Sequence, residues 1–201
     1  REVKKAGVEI RLGTEVNDKI IKDIKPDAVV IATGGNPAIP EIPGLNVKNA
    51  LTAQDVLADK VKVGQNVVII GGGQVGCETG YYLASKGKKV VIIEILPRMA
   101  GDMGPMTRRR LMDGLRGKQV TLLTNTKCEE VRKDSVIVSA EGQRKTYPMD
   151  SVIMAVGYRA NDDLFKAFEG KVPELYRIGD SSQPRGIREA TQEGYRTGLS
   201  L

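Results

Sequence analysis

The chain has 201 residues, 40% of them hydrophobic and 28% charged, with a formal net charge of +6. That length suits one large globular domain or two small ones. No apolar run is long enough to cross a membrane as a helix, and scattered basic residues with only 4% aromatics argue against a nucleic-acid stacking surface.

Glu2 to Gly7 reads as the end of a helix with Gly7 as its cap. Val8 to Leu12 alternates apolar and polar residues, the pattern of a half-buried strand. Asp18 to Ile24 forms a turn or a short helix. After Pro26-Asp27, the run Ala28-Val29-Val30-Ile31-Ala32 is a buried-type strand that ends in Thr33-Gly34-Gly35. Asn36 to Leu45, with its prolines, is a loop or crossover. Thr52 to Ala58 suits a short helix, with Thr52 as cap and Asp55 in the first turn.

The stretch Asn66–Glu94 is the centre of the chain. Val67 to Ile70 is apolar without alternation, as in a parallel strand covered on both faces. The loop Gly71-Gly72-Gly73-Gln74-Val75-Gly76 follows, then a helix from Gln74 to Lys86, a capping Gly87, and a second apolar strand, Val90 to Ile93, closed by Glu94. Together these make a βαβ unit of about 30 residues. Gly71 permits the turn off the strand, Gly73 lets a diphosphate approach the backbone, and Gly76 with Gly80 lets the helix lie close to the sheet. The helix start presents free N–H groups to phosphates. Glu94 stands where a carboxylate accepts both ribose hydroxyls, and it would repel a 2′-phosphate, favouring NAD(H) over its phosphorylated form.

Beyond Glu94, Leu96 to Gly104 is a loop and Pro105 to Arg116 a helix with Met106, Leu111, Met112 and Leu115 as its apolar face. Its Arg108-Arg109-Arg110 run either meets phosphates or forms a solvated side. Lys118 to Leu123 begins a third strand. Lys127–Arg132, Ser135–Ala140 and Gln143–Tyr147 are short alternating pieces with turn residues between them, an antiparallel meander. Ser151 to Gly157 returns as a buried strand. Glu174 to Asp180 is a short strand ending in Gly-Asp. Ile187 to Leu201 is a helix with Ala190, Gly194 and Gly198 at every fourth position, for close approach to a cofactor or simply for tight packing.

The fold expected is therefore α/β, a Rossmann-like parallel sheet with an inserted antiparallel meander over residues 65–157. Residues 1–64 and 158–201 lie to either side. Histidine is absent, and the two cysteines, Cys77 and Cys128, form no Cys-x-x-Cys. The commonest general base and metal ligand are thus missing, as is any local redox disulfide. Cys77 inside the glycine helix reads as a small packing residue, and a reducing cytoplasm is the expected compartment. Chemistry must come from a cofactor or from residues outside this chain.

Four segments, in order, resemble the pyridine nucleotide–disulfide oxidoreductase superfamily: Val29–Gly34, the glycine loop Gly71–Glu78 with Glu94, Ala155–Asn161, and Tyr176–Asp180. The resemblance covers nearly the whole chain. Pro40-Glu41-Ile42-Pro43-Gly44 and Arg188–Tyr195 look closest to the C-terminal portions of NADH oxidase and 2,4-dienoyl-CoA reductase-like flavoproteins, relatives of trimethylamine dehydrogenase. It implies an NADH domain inserted into a flavin domain. Glu78 would be the acid near the nicotinamide, Gly157 would lie in the second crossover, and Asp180 would hold the ribityl chain of FAD. It also implies an FMN-bearing barrel and an iron–sulfur cluster preceding this region. The family's first Gly-x-Gly-x-x-Gly should lie before Arg1, so the expectation is an excised C-terminal piece, with 1–64 and 158–201 as part of a flavin-type domain. The function implied is the NADH-binding part of an FAD-dependent oxidoreductase, the isolated piece being inactive and bound to neither nucleic acid nor membrane. The alternatives are a non-catalytic redox-sensing module and a ferredoxin- or disulfide-type reductase.

Overall fold

The computed structural model describes residues 2–46 and 50–201. Its elements in chain order are α1 (Glu2–Lys5), α2 (Asp18–Ile24), β1 (Ala28–Ile31), β2 (Gly35–Pro37), β3 (Ala50–Thr52), α3 (Ala53–Leu57), β4 (Asn66–Ile70), α4 (Gln74–Ser85) and β5 (Lys89–Ile93). Then come α5 (Pro105–Gly117), β6 (Thr121–Leu123), β7 (Lys127–Val131), β8 (Ser135–Ala140), β9 (Gln143–Pro148), β10 (Ser151–Met154), β11 (Tyr158–Ala160), α6 (Asp163–Phe168), β12 (Glu174–Arg177) and α7 (Ile187–Ser200). They fall into two units, residues 35–159 and residues 1–34 with 160–201.

Residues 35–159 are built on a parallel sheet of order β3-β10-β4-β5-β6. Successive residues of a strand face opposite sides, and here both sides are covered. Val67, Ile69, Val90, Ile92 and Ile153 pack with Val56 of α3, Cys77 and Leu83 of α4, and Met112 and Leu115 of α5. Val68, Ile70, Ile93, Val152 and Met154 pack with Val131, Val136 and Val138 of the antiparallel sheet β7-β8-β9. The meander does on one face what helices do on the other. That double cover is why β4 and β5 each carry four successive apolar residues, Val67–Ile70 and Val90–Ile93.

α3 is capped as its sequence implies: Thr52 Oγ1 accepts from Asp55 N at 3.1 Å. α5 buries Met112 and Leu115, while Met106 is 88% exposed. Met106 occupies the first turn of that helix, beyond the edge of the packed face. The Asn36–Leu45 segment is not wholly a loop, since β2 pairs with β11.

The other unit holds a two-stranded parallel sheet, β1 beside β12. β1 is only half-buried apart from Ile31, because two strands cannot cover both faces of one another. α2 is a helix rather than a turn, capped by the Asn17 side chain, which accepts from the N–H groups of Lys19 and Ile20. α7 packs through its small residues: a Cβ on Gly179 would lie 3.3 Å from Ala190 Cβ, and one on Gly194 would lie 3.8 Å from Ile178 Cδ1. Gly198 faces open space. Val8 to Leu12 is not a strand. Alternation alone does not make one without a neighbouring backbone, and among the described residues no strand pairs with it.

The approach of α4 to the sheet yields a graded prediction. A Cβ on Gly76 would stand 2.0 Å from Gly71 O, a backbone atom, whereas one on Gly80 would stand 2.6 Å from Ile92 Cδ1, the end of a flexible side chain. G76A should lower unfolding free energy by about 3 kcal/mol and G80A by about 1 kcal/mol, after alanine's better helix propensity is counted. Urea titration followed by circular dichroism measures both.

Candidate functional site

β4 runs straight into the glycine corner. Gly71 has φ +106°, a left-handed-side conformation that favours glycine. Its N–H donates to Ile93 O at 2.9 Å, so the corner is tied to the end of β5. A Cβ there would also fall 2.3 Å from Ala155 O, at the end of β10. The corner thus sits at the carboxyl ends of three adjacent strands, where the chain turns to opposite sides of β4, the usual place for a ligand in an open α/β sheet. α4 starts immediately after Gly73, pointing the N–H groups of its first turn there.

Glu94 follows β5 and is buried, 9% exposed. Its Oε2 accepts from Gly72 N at 2.7 Å and its Oε1 from Leu96 N at 2.8 Å. It therefore stands at the corner and stitches the glycine loop to the loop after β5. A carboxylate has about four lone-pair sites, so each oxygen keeps capacity for one further donor. Gly72 is bare because Glu94 and Met99 fill its side: a Cβ would meet Met99 Sδ at 2.4 Å and Glu94 Cβ at 2.8 Å. Gly73 differs. The three atoms nearest to a Cβ there all belong to the Asp102 carboxylate, the first at 3.4 Å, an ordinary contact distance.

Gln74 and Val75 are exposed in the first turn of α4, and Gly76 is buried beneath them. Glu78 lies past the first turn, not within it, and its Oε1 accepts from Gln74 Nε2 at 3.0 Å. Gly157, φ +96°, is exposed three residues beyond β10, and its carbonyl accepts from Ala38 N at 2.9 Å. Asp180 belongs to the other unit, where its Oδ1 accepts from Arg185 N at 3.2 Å. Arg109 and Arg110 are on the solvated side of α5, while Arg108 Nε donates to Met99 O at 2.7 Å.

That last bond belongs to a feature that sequence reasoning missed. In the loop after Glu94, Met99 and Ala100 are buried, and Ala100 N donates to Gly72 O at 2.6 Å. The loop then brings the Asp102 carboxylate onto Gln74 N, at 2.9 and 3.1 Å. Gly73 has no side chain to cap α4, and Asp102 does so from 28 residues away. No local pattern announces a cap at such a separation.

Among the described residues, no group of histidine, cysteine or acidic side chains is arranged to hold a metal, and no helix is long and apolar enough to cross a membrane.

An open parallel sheet whose strand turns through glycines into a helix is the dinucleotide-binding type of α/β fold. Residues 3–194 match the family model described as pyridine nucleotide-disulphide oxidoreductase, and the chain belongs to that family. It is similar to an NADH oxidase of Thermoanaerobacter brockii, 36% identical over 206 residues, covering 100% of this chain and 32% of that protein. It is also similar to a metal reductase of Desulforamulus reducens (strain ATCC BAA-1160 / DSM 100696 / MI-1), 34% identical over 226 residues, covering 96% of this chain and 34% of the relative. Among solved structures, 2-naphthoyl-CoA reductase in complex with 2-naphthoyl-CoA superposes with a TM-score of 0.92 at 34% identity, over 100% of this chain and 31% of that one. The chain spans about a third of the length of these proteins.

Both cysteines are buried and free. Burial pushes the Cys77 thiol up to about 12 and the Cys128 thiol up to about 11. Cys77 Sγ donates to Gly72 O at 3.3 Å, a packing role beneath the corner. At pH 8 the thiolate fraction is about one in ten thousand for Cys77 and about one in a thousand for Cys128. Reaction of the native protein with an aromatic disulfide reagent should be at least about a hundredfold slower than in urea, with Cys128 labelled before Cys77.

Proposed function

We propose that residues 35–159 bind NADH at the glycine corner, and that the chain is the NADH-binding part of an FAD-dependent oxidoreductase. The observation that carries this reading is Gly73. Its backbone stands half-buried at the start of α4, and the atoms nearest to the missing side chain, those of the Asp102 carboxylate, lie no closer than 3.4 Å. That is room a diphosphate can use and a Cβ would fill.

The residues fit the ligand in named ways. The amides of the first turn of α4 would meet phosphate oxygens. The spare lone pairs of Glu94 would accept the ribose hydroxyls of the adenosine half, its position being held by Gly72 N and Leu96 N. Glu78 and Gly157 are assigned to the nicotinamide half and the second crossover on the family resemblance. Bound NADH supplies a hydride for a flavin. This chain's task is to hold and orient the dinucleotide, which agrees with the absence of histidine. Asp180, at the start of the turn after β12, is assigned to the FAD ribityl chain, and the FMN barrel and iron–sulfur region are assigned to the rest of a longer protein. The names of the relatives, an NADH oxidase, a metal reductase and a 2-naphthoyl-CoA reductase, support the same reading and differ in the acceptor. The electron acceptor is accordingly a property of residues beyond this chain.

Gly73 has φ −68° and ψ −173°, values open to any residue. G73A should therefore change stability by less than about 0.5 kcal/mol, yet weaken NADH binding by about tenfold or more. Isothermal titration calorimetry with NADH and ADP-ribose measures this. Equal affinity in G73A and the unaltered chain would remove the diphosphate from this corner. Because Glu94 faces the ribose edge, NADH should also bind about tenfold or more tightly than NADPH, as read by nicotinamide fluorescence.

A further inference from the structure

The carboxylate of Asp102 stands where an anionic ligand would be expected. Gln74 N donates to both its oxygens, at 2.9 and 3.1 Å, and Oδ2 is the nearest atom to the missing side chain of Gly73. The loop bearing it is fixed from behind. Ala100 is fully buried and donates to Gly72 O, Met99 is buried, and Arg108 Nε grips Met99 O. Asp102 itself is exposed, so its side chain can swing toward water without disturbing those anchors.

We propose that Asp102 is a charge filter for the glycine corner. Its carboxylate caps the first amide of α4 when no ligand is bound, and it selects against phosphate groups according to their charge. This rests on the dinucleotide reading above. A diphosphate that takes the Gln74 amide must displace a like-charged group or lie beside it, and the repulsion grows with every further ligand charge. A dinucleotide's diphosphate is esterified at both ends. ADP ends in a free phosphate with additional charge near neutral pH. The filter therefore favours a dinucleotide over a mononucleotide of the same adenosine half, adding at the diphosphate to the repulsion that Glu94 would exert at the ribose. In the unliganded protein the same contact stabilises the start of α4.

The test uses D102N and D102S, both uncharged and both able to accept from Gln74 N. Calorimetry at low ionic strength compares ADP-ribose, ADP and adenosine on the 201-residue chain. The expected result is about tenfold tighter ADP-ribose binding in both variants, a larger gain for ADP, and no change for adenosine. Unchanged affinities for ADP-ribose and ADP, or equal gains for the two, would overturn the filter while leaving the dinucleotide reading in place. If neither the unaltered chain nor either variant binds any phosphate ligand, the dinucleotide reading falls and the filter with it.

Discussion

The start of α4 is pressed directly against the backbone that leaves β4. Gly76 has no Cβ, and the carbonyl of Gly71 occupies the space where one would be. Everything at the corner follows from that contact. Because α4 lies against the sheet, its first amides emerge at the strand ends rather than above them. Gly80, one turn on, keeps the helix close by admitting the Ile92 side chain. Cys77 and Thr79 are fully buried between these glycines, which turns the first half of α4 into a tightly seated element. A phosphate-binding helix end is useful only when its position is fixed, since a dipole's influence fades within about one turn.

Much of this was legible from local pattern. Uninterrupted β-branched runs marked the doubly covered strands, and short alternating runs with Lys133-Asp134 and Glu141-Gly142 between them marked the meander. Caps at Thr52 and Gly87 marked helix ends, because the chemistry of a cap is local. What was illegible depends on partners. Val8 to Leu12 has a strand's alternation, but among the described residues no neighbouring strand pairs with it. Met106 has a core residue's chemistry but sits outside the packed face. β1 has the composition of a doubly covered strand, but its sheet has two members. In each case the residue types are right for burial, and among the described residues, Ile31 apart, no surface buries them.

The corner shows the same division. Its glycines and Glu94 follow a spacing that can be read along the chain. The cap from Asp102 cannot be read that way, because it depends on how the connection between β5 and α5 folds back over Gly72 and Gly73. Nor does spacing reveal that Glu94 is already engaged. Both of its oxygens accept backbone N–H groups of the loops they align, so one residue is both a strut of the corner and a candidate ribose acceptor.

These details bear on how such a site discriminates. The groups that close the corner are backbone amides and two carboxylates, Glu94 and Asp102, in a chain whose formal net charge is +6. Amides attract phosphate at short range and with a fixed direction, whereas a lysine or arginine side chain would attract any anion from farther away. Carboxylates then subtract affinity from every ligand in proportion to its charge. If the corner binds a dinucleotide as proposed, the difference between the two would reward hydrogen-bonding shape over charge. On the reading proposed above, the general positive charge of the chain would draw anions toward the protein as a whole, and the acidic corner would decide which of them stays.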